Sequence, residues 1–225
     1  MHLSAQEPKE NETNNEVEVG IAADVISKYI WRGMQSGDVS IQPVFDLSWK
    51  GFALQVSGNT GLVKADDPNE IDISASFTKG GFTVGVIDYW NDFPETRYFI
   101  YDAHSTSHVF EAFAGYDFGP VNATWYTNFG GNDGLNKSGK RAYSSYVELN
   151  APFKLAQFDW TATLGMVPYA TSFYEVENFS ATNISLAASK EINVTDHFTI
   201  PFFAQFTANT ASKNMYFIFG LRLHP

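Results

Sequence analysis

Residues 40–60 read SIQPVFDLSWKGFALQVSGNT, and this stretch limits the fold more than any other. Ile41, Phe45, Leu47 and Trp49 alternate with Gln42, Asp46, Ser48 and Lys50. After a Lys50-Gly51 corner, Phe52, Leu54 and Val56 alternate with Ala53, Gln55, Ser57 and Asn59. Successive side chains of a strand point to opposite faces, so the stretch predicts a β-hairpin with one apolar and one polar face. Gly51 supplies the permissive backbone that so tight a corner needs. Each arm has about ten residues, the length a tilted strand needs to cross a bilayer.

The rest of the chain repeats this unit. A first strand opens at Val17 and runs through Ala23 and Val25 to Tyr29-Ile30-Trp31, followed by a looser connection from Arg32 to Val39. Alternation then returns in strands around Ile71–Phe77, Phe82–Val86, Phe110–Tyr116, Val121–Thr127, Tyr143–Leu149, Phe158–Leu164, Thr182–Ala188, Phe198–Phe206 and Met215–Leu223. With the opening hairpin these make twelve strands. Connections at 50–51, 79–81, 118–120, 151–156 and 190–196 are short, whereas most of the others are long, notably Trp90 to Ser107, Gly130 to Arg141 and Pro168 to Asn178. Short turns on one side and long loops on the other are the pattern of outer-membrane barrels, with both termini on the short-turn side. Aromatics flank the short turns (Trp49 and Phe52, Phe77 and Phe82, Phe118, Phe153 and Phe158), as an interfacial girdle requires.

Composition agrees with that reading and removes several others. Charged residues make up only 17%, against about 25% in soluble domains. No run approaches 18 consecutive apolar residues, so a transmembrane helix is excluded. Alternating spans, by contrast, leave mean hydropathy near zero, and it is -0.19 here. A net charge of -11 argues against nucleic acid as a partner. The absence of cysteine rules out disulfides, thiolate metal sites and a cysteine nucleophile. Residues 1–16 are set apart from the barrel at 17–225. Leu3-Ser4-Ala5-Gln6 has the form of a signal-peptide remnant, and Glu7 to Glu16 that of a flexible polar lead-in.

Four stretches also carry a family likeness. Gly20 to Gly33, containing Ser27-Lys28-Tyr29-Ile30-Trp31-Arg32-Gly33, together with Pro43-Val44-Phe45-Asp46, Glu70-Ile71-Asp72 and Gly85-Val86-Ile87-Asp88-Tyr89, resembles the Gcw_chp family of bacterial (Bacteroidota-type) outer-membrane barrel proteins. The likeness implies an outer-membrane barrel and carries no mechanism, because that family has no settled activity.

The expected fold is therefore all-β, a single antiparallel up-and-down transmembrane β-barrel of about twelve strands in a bacterial outer membrane, with membrane lipid as its surroundings. If the apolar face meets lipid, the polar face lines the lumen, and the candidate lining is Asp46, Asp72, Glu111, Glu148, Asp159 and Arg222. Lys28 and Arg32 join them if the first strand keeps its phase past Val25. Acid outnumbers base in this set, so a pore would prefer cations; an ion-pair network that simply fills the barrel is the plainer use of the same residues. Two functions follow: a small passive pore or solute-binding barrel, gated or plugged, or a non-transporting barrel whose external loops bind a partner protein or glycan. The loop anchors for the second are Trp90, Phe93, Tyr98, Tyr101, Tyr169, Phe173 and Tyr174. A third reading, a soluble lipocalin-like barrel with an apolar ligand, needs the apolar faces turned inward. Nothing points to an enzyme, cofactor or metal. His104 and His108 (HSTSH) read as solvated loop residues, and Gly134 to Lys140 mimics a phosphate-binding loop but has Arg141 where Ser or Thr belongs and a strand where a helix is required.

Overall fold

A computed structural model of the chain describes residues 16–64, 67–92, 97–102, 105–195 and 198–224. The lead-in at 1–15, Phe93, His104, His197 and the terminal Pro225 lie outside the described residues. The fold is all-β, without an α-helix among the described residues. Its strands are β1 (Glu18–Ile26), β2 (Tyr29–Trp31), β3 (Met34–Gly37), β4 (Ser40–Trp49), β5 (Phe52–Gly61), β6 (Glu70–Lys79) and β7 (Phe82–Asn91). The second half adds β8 (Val109–Asp117), β9 (Asn122–Gly131), β10 (Ser145–Leu155), β11 (Phe158–Val167), β12 (Ser180–Thr195), β13 (Phe198–Asn209) and β14 (Asn214–Leu223).

Twelve of these strands close into an antiparallel up-and-down barrel, β1 pairing with both β4 and β14, while β2 and β3 form a separate two-stranded sheet. Closure gives each wall strand two partners, which leaves no open sheet edge. The seam between β1 and β14 is the shortest pairing of the barrel wall, from Ala23 opposite Leu223 to Ile26 opposite Gly220. It is clasped by Arg222, whose Nε and Nη2 each donate to the Asp24 carboxylate at 2.7 Å.

The period-2 pattern sorts its residues as the alternation predicts. Phe52, Phe82, Phe206 and Phe217 stand exposed on the outer wall, whereas Gln42, Asn59, Glu111, Asn128 and Thr207 are buried within the barrel. The lipocalin-like reading needs the apolar faces turned inward, and in this barrel they are turned outward. Trp49, Phe52, Phe82, Tyr116, Phe118 and Phe153, all beside the short turns, are exposed as well and ring the outside of that end.

Three boundaries differ from the sequence expectation, one of them late in the chain, where β12 runs to Thr195 and takes in most of the expected 190–196 connection. β10 runs on through Pro152 to Leu155, and its turn is Ala156-Gln157 rather than 151–156. Pro152 is tolerated inside the strand because the pairing with β9 has already stopped at Asn150, so no ladder bond on that side is lost. The largest difference is at the start. Tyr29-Ile30-Trp31 does not prolong the first strand, and the connection from Arg32 to Val39 is not loose: together they form the β2–β3 hairpin.

Candidate functional site

The hairpin is attached at its root and packed at its tip. After β1, the Ser27 amide donates to the Phe219 carbonyl at 2.9 Å, and Ser27 Oγ accepts from the Phe219 amide at 3.0 Å. The chain then turns through β2, reverses at Arg32-Gly33 and returns along β3. Arg32 (φ 48°) and Gly33 (φ 82°) both have positive φ, the backbone of a two-residue turn of the mirror-image type. A Cβ on Gly33 would run into the Thr182 carbonyl of β12, so only glycine lets the tip sit this close to the wall. Asn209 of β13 fixes that position by donating from Nδ2 to the Gly33 carbonyl at 3.1 Å.

The hairpin therefore lies in the barrel lumen, and the apolar core of the molecule forms around it. One buried cluster joins Ile26, Tyr29 and Phe203; another joins Tyr146, Val167, Tyr174 and Val176; Trp31 packs against both. The loop after β11 (168–179) supplies Tyr174, which stacks on Trp31 with centroids 5.9 Å apart and planes 11° apart. That loop is folded inward by a bridge between Thr171 and Val176, and its Ser172 amide donates to the Leu135 carbonyl of the loop after β9. The two long loops and the hairpin thus pack as one unit at the long-loop end of the barrel.

Arg32 occupies the centre of this unit. Its Nη1 donates to Glu111 Oε1 at 2.6 Å and its Nη2 to Oε2 at 2.7 Å, a bidentate pair across the lumen to β8. Nη1 also donates to the Tyr174 hydroxyl at 2.5 Å. Tyr89 of β7 donates its hydroxyl to Glu111 Oε2 at 2.9 Å. The guanidinium carbon sits 4.6 Å from the Trp31 ring centroid, 4.3 Å from that of Tyr126 and 4.6 Å from that of Tyr146. The Arg32 and Glu111 side chains are 7% and 0% exposed. A buried ion pair is tolerated only with geometry and hydrogen bonding of this completeness.

The root has its own ionic clasp. Asp38, just after β3, receives Lys28 at 2.8 Å and is also bridged by Lys64. Hydrogen bonds from those two lysines hold the Asp38 carboxyl down at about 2. Tyr29 donates its hydroxyl to Glu70 Oε1 at 2.8 Å, tying β2 to β6.

The residues nominated from the sequence are distributed unevenly. Glu111 is the partner of Arg32. Glu148 faces the lumen, accepting from the Tyr146 hydroxyl at 2.8 Å and from Asn150 Nδ2 at 2.9 Å. Asp46 accepts from Gln55 Nε2 at 2.7 Å, Asp72 is buried in the β6 wall, and Arg222 belongs to the seam with Asp24. Asp159 pairs with Lys154 at the short-turn rim, where both side chains are largely exposed, so it lines no interior passage. Arg32 itself depended on a strand phase that does not hold, because the residues after Ile26 leave the wall. Tyr89, Tyr126 and Tyr146 were not nominated at all. The Arg32-Gly33 pair directly after Tyr29-Ile30-Trp31 was the available signal, since a residue followed by glycine suits a two-residue turn.

The aromatic loop residues serve mainly as packing. Trp90 is 8% exposed beneath Tyr98, Tyr174 is 2% exposed in the lumen, and Phe173 is partly buried against Trp31. None of these three is free to anchor a partner. Tyr101 and Tyr169 remain exposed, although the Tyr169 hydroxyl donates to the Tyr143 carbonyl at 2.6 Å. His108 is not a solvated loop residue: it is fully buried. Its Nδ1 lies 2.7 Å from Asp88 Oδ1, its Nε2 2.5 Å from the Tyr98 carbonyl, and Tyr101 stacks on it at 4.3 Å. Both ring nitrogens face acceptors, so the imidazole staples the 97–102 segment to the outer wall and has no free nitrogen to activate a nucleophile.

No family model matches the chain, and no curated protein matches it. Among solved structures, one chain described under the unveiling of the mechanism behind in-meso crystallisation of membrane proteins aligns over 92% of this chain and 83% of its own, with 6% identity and a TM-score of 0.49. That likeness is too slight to carry an argument about function.

Proposed function

We propose that the chain is a bacterial outer-membrane barrel that acts as a small passive pore, closed at rest by its own β2–β3 hairpin and preferring cations when open. The observation that carries this reading is the Arg32–Glu111 pair, which ties the hairpin tip across the lumen to the opposite wall. The membrane setting is supported by the apolar outer wall, since exposed phenylalanine on eight of the twelve wall strands is stable only against lipid. In this setting the short turns face the periplasm and the plugged end faces outward. The resemblance to Gcw_chp barrels is part of the same proposal, and Ser27 to Gly33, where it is most evident, includes β2 and the hairpin tip.

Cation preference follows from the lumen charge. Asp24, Asp46, Glu70, Asp72, Glu111 and Glu148 face inward against Arg32 and Arg222, and each of the two arginines is already paired. Withdrawal of the hairpin removes Arg32 and leaves the lining more acidic still.

Two measurements test the reading. The native protein should need detergent to leave the membrane pellet and should migrate heat-modifiably on a gel; a protein soluble without detergent contradicts it. In planar bilayers, Arg32→Ala should conduct with a reversal potential on the cation side of a salt gradient, while the unaltered barrel stays mostly closed. An Arg32→Ala barrel that inserts, migrates heat-modifiably and remains silent would favour the second reading, a non-transporting scaffold. That reading has one observation of its own: Phe99, 85% exposed, and Tyr101, 52% exposed, stand at the long-loop end as surface for a partner.

A further inference from the structure

The wall around Arg32 is a complete receptor for a guanidinium group, although Arg32 belongs to the hairpin and not to the wall. Without the hairpin, five separate elements still converge on one point. β8 presents both oxygens of Glu111, β7 holds that carboxylate through the Tyr89 hydroxyl, β9 and β10 contribute the faces of Tyr126 and Tyr146, and the 168–179 loop adds the Tyr174 hydroxyl. Glu111 has no solvent exposure, and a carboxylate so enclosed is stable only with a cation beside it. The geometry also selects which cation. Two parallel N–H···O bonds of 2.6 and 2.7 Å suit the planar fork of a guanidinium and not the point charge of an ammonium. Rings 4.3 and 4.6 Å from the central carbon stack on the flat faces of such a group.

We propose that this cage is a binding site for a guanidinium-bearing solute, and that Arg32 occupies it as an internal competitor, so that solute binding and release of the hairpin tip are one exchange. The proposal deepens the plugged-pore reading and rests on it for its physiological meaning, though the cage itself does not depend on conduction. Tethering gives Arg32 a high effective concentration at the cage, so a solute must be abundant or must carry further contacts to replace it. The root clasp of Lys28, Asp38 and Lys64 lies apart from the cage, which lets the tip leave while the hairpin remains attached.

The test uses Arg32→Ala purified in detergent, with methylguanidinium as probe and tetramethylammonium or sodium at matched ionic strength as controls. Methylguanidinium should raise the midpoint of heat-modifiable unfolding saturably, the controls should not, and Arg32→Ala/Glu111→Gln should not respond. No saturable shift, or an equal shift with tetramethylammonium, overturns the proposal. Should Arg32→Ala not fold, Met34→Cys in the otherwise unchanged chain, which has no cysteine of its own, asks the same question. Agmatine should then raise the rate of maleimide labelling several-fold by drawing the tip out of its aromatic packing, and an unchanged rate overturns the proposal. Neither readout needs a current. A silent barrel that binds methylguanidinium would sink the pore and keep the cage, and a conducting barrel that ignores it would do the opposite.

Discussion

At the scale of single residues, the hairpin tip is held by Arg32 and Glu111 satisfying each other. Removing one partner strands the other, a loss of about 3–5 kcal/mol for a buried pair. Arg32→Ala and Glu111→Gln should each lower the unfolding midpoint strongly, and the double variant should lose much less than the sum, because the two changes remove one shared interaction. Additive losses in a double-mutant cycle would show that the pair is not coupled. Asp38 gives a pH dependence of definite sign. Its carboxyl is held at about 2 by Lys28 and Lys64, below the ordinary value of about 3.9. A depressed carboxyl stabilises the fold above its unfolded value, and that stabilisation is lost as pH falls from about 4 through about 2. The hairpin root should therefore hold at pH 5 and loosen near pH 2, with Asp38→Asn flattening that part of the profile when the thermal unfolding midpoint in detergent is followed against pH. Of the site residues, Glu111 and Glu148 were legible because they sit on wall strands, where the phase is set by apolar, outward-facing neighbours. Arg32 was not, because its segment has no exposed apolar face: Tyr29 and Ile30 are adjacent and both buried, at 4% and 3% exposed, so alternation says nothing about where the next side chain points.

At the scale of elements, closure and turns decide the outcome. The β1–β14 seam has few backbone pairs and relies on Arg222 bonded to Asp24, a residue only 3% exposed. Arg222→Ala should cost about 2–4 kcal/mol, somewhat less than a fully enclosed pair because the arginine reaches solvent. It should also raise amide exchange at Ala23 to Ile26 before any other wall strand. Uniform exchange around the barrel would contradict a weak seam. The turn between β10 and β11 places Ala156 (φ 52°) and Gln157 (φ 66°) where glycine or asparagine is preferred. Gln157→Gly should stabilise the barrel by about 1 kcal/mol through relief of that left-handed conformation, read as a higher denaturation midpoint. Wall strands were legible for a simple reason: each is long enough to repeat its two-sided pattern several times. The hairpin strands, of three and four residues, are too short to repeat anything. The 168–179 loop escaped for a related reason, since its aromatic residues are equally suited to a partner outside and to a lumen inside.

At the scale of the whole molecule, the fold is a barrel with its polar groups inside and its apolar groups outside, filled at one end by a segment of its own chain. The filled end holds the buried apolar clusters, while the acidic lining continues beyond it at Asp46, near the short turn between β4 and β5. In the pore proposed above, closure would fall to the hairpin and charge selection to the wall. Neutralising Asp46 and Asp72 together should thus reduce cation preference in an open variant without changing whether it opens. The most direct measurement is single-channel recording of a barrel in which residues 28–38 are replaced by a short Gly-Ser linker, beside the unaltered chain in the same planar bilayers. A plugged pore should give a steady, cation-selective conductance for the replaced barrel and a closed trace for the unaltered one. Two silent traces from barrels that both insert and both migrate heat-modifiably, or equal conductance from the two, would contradict it.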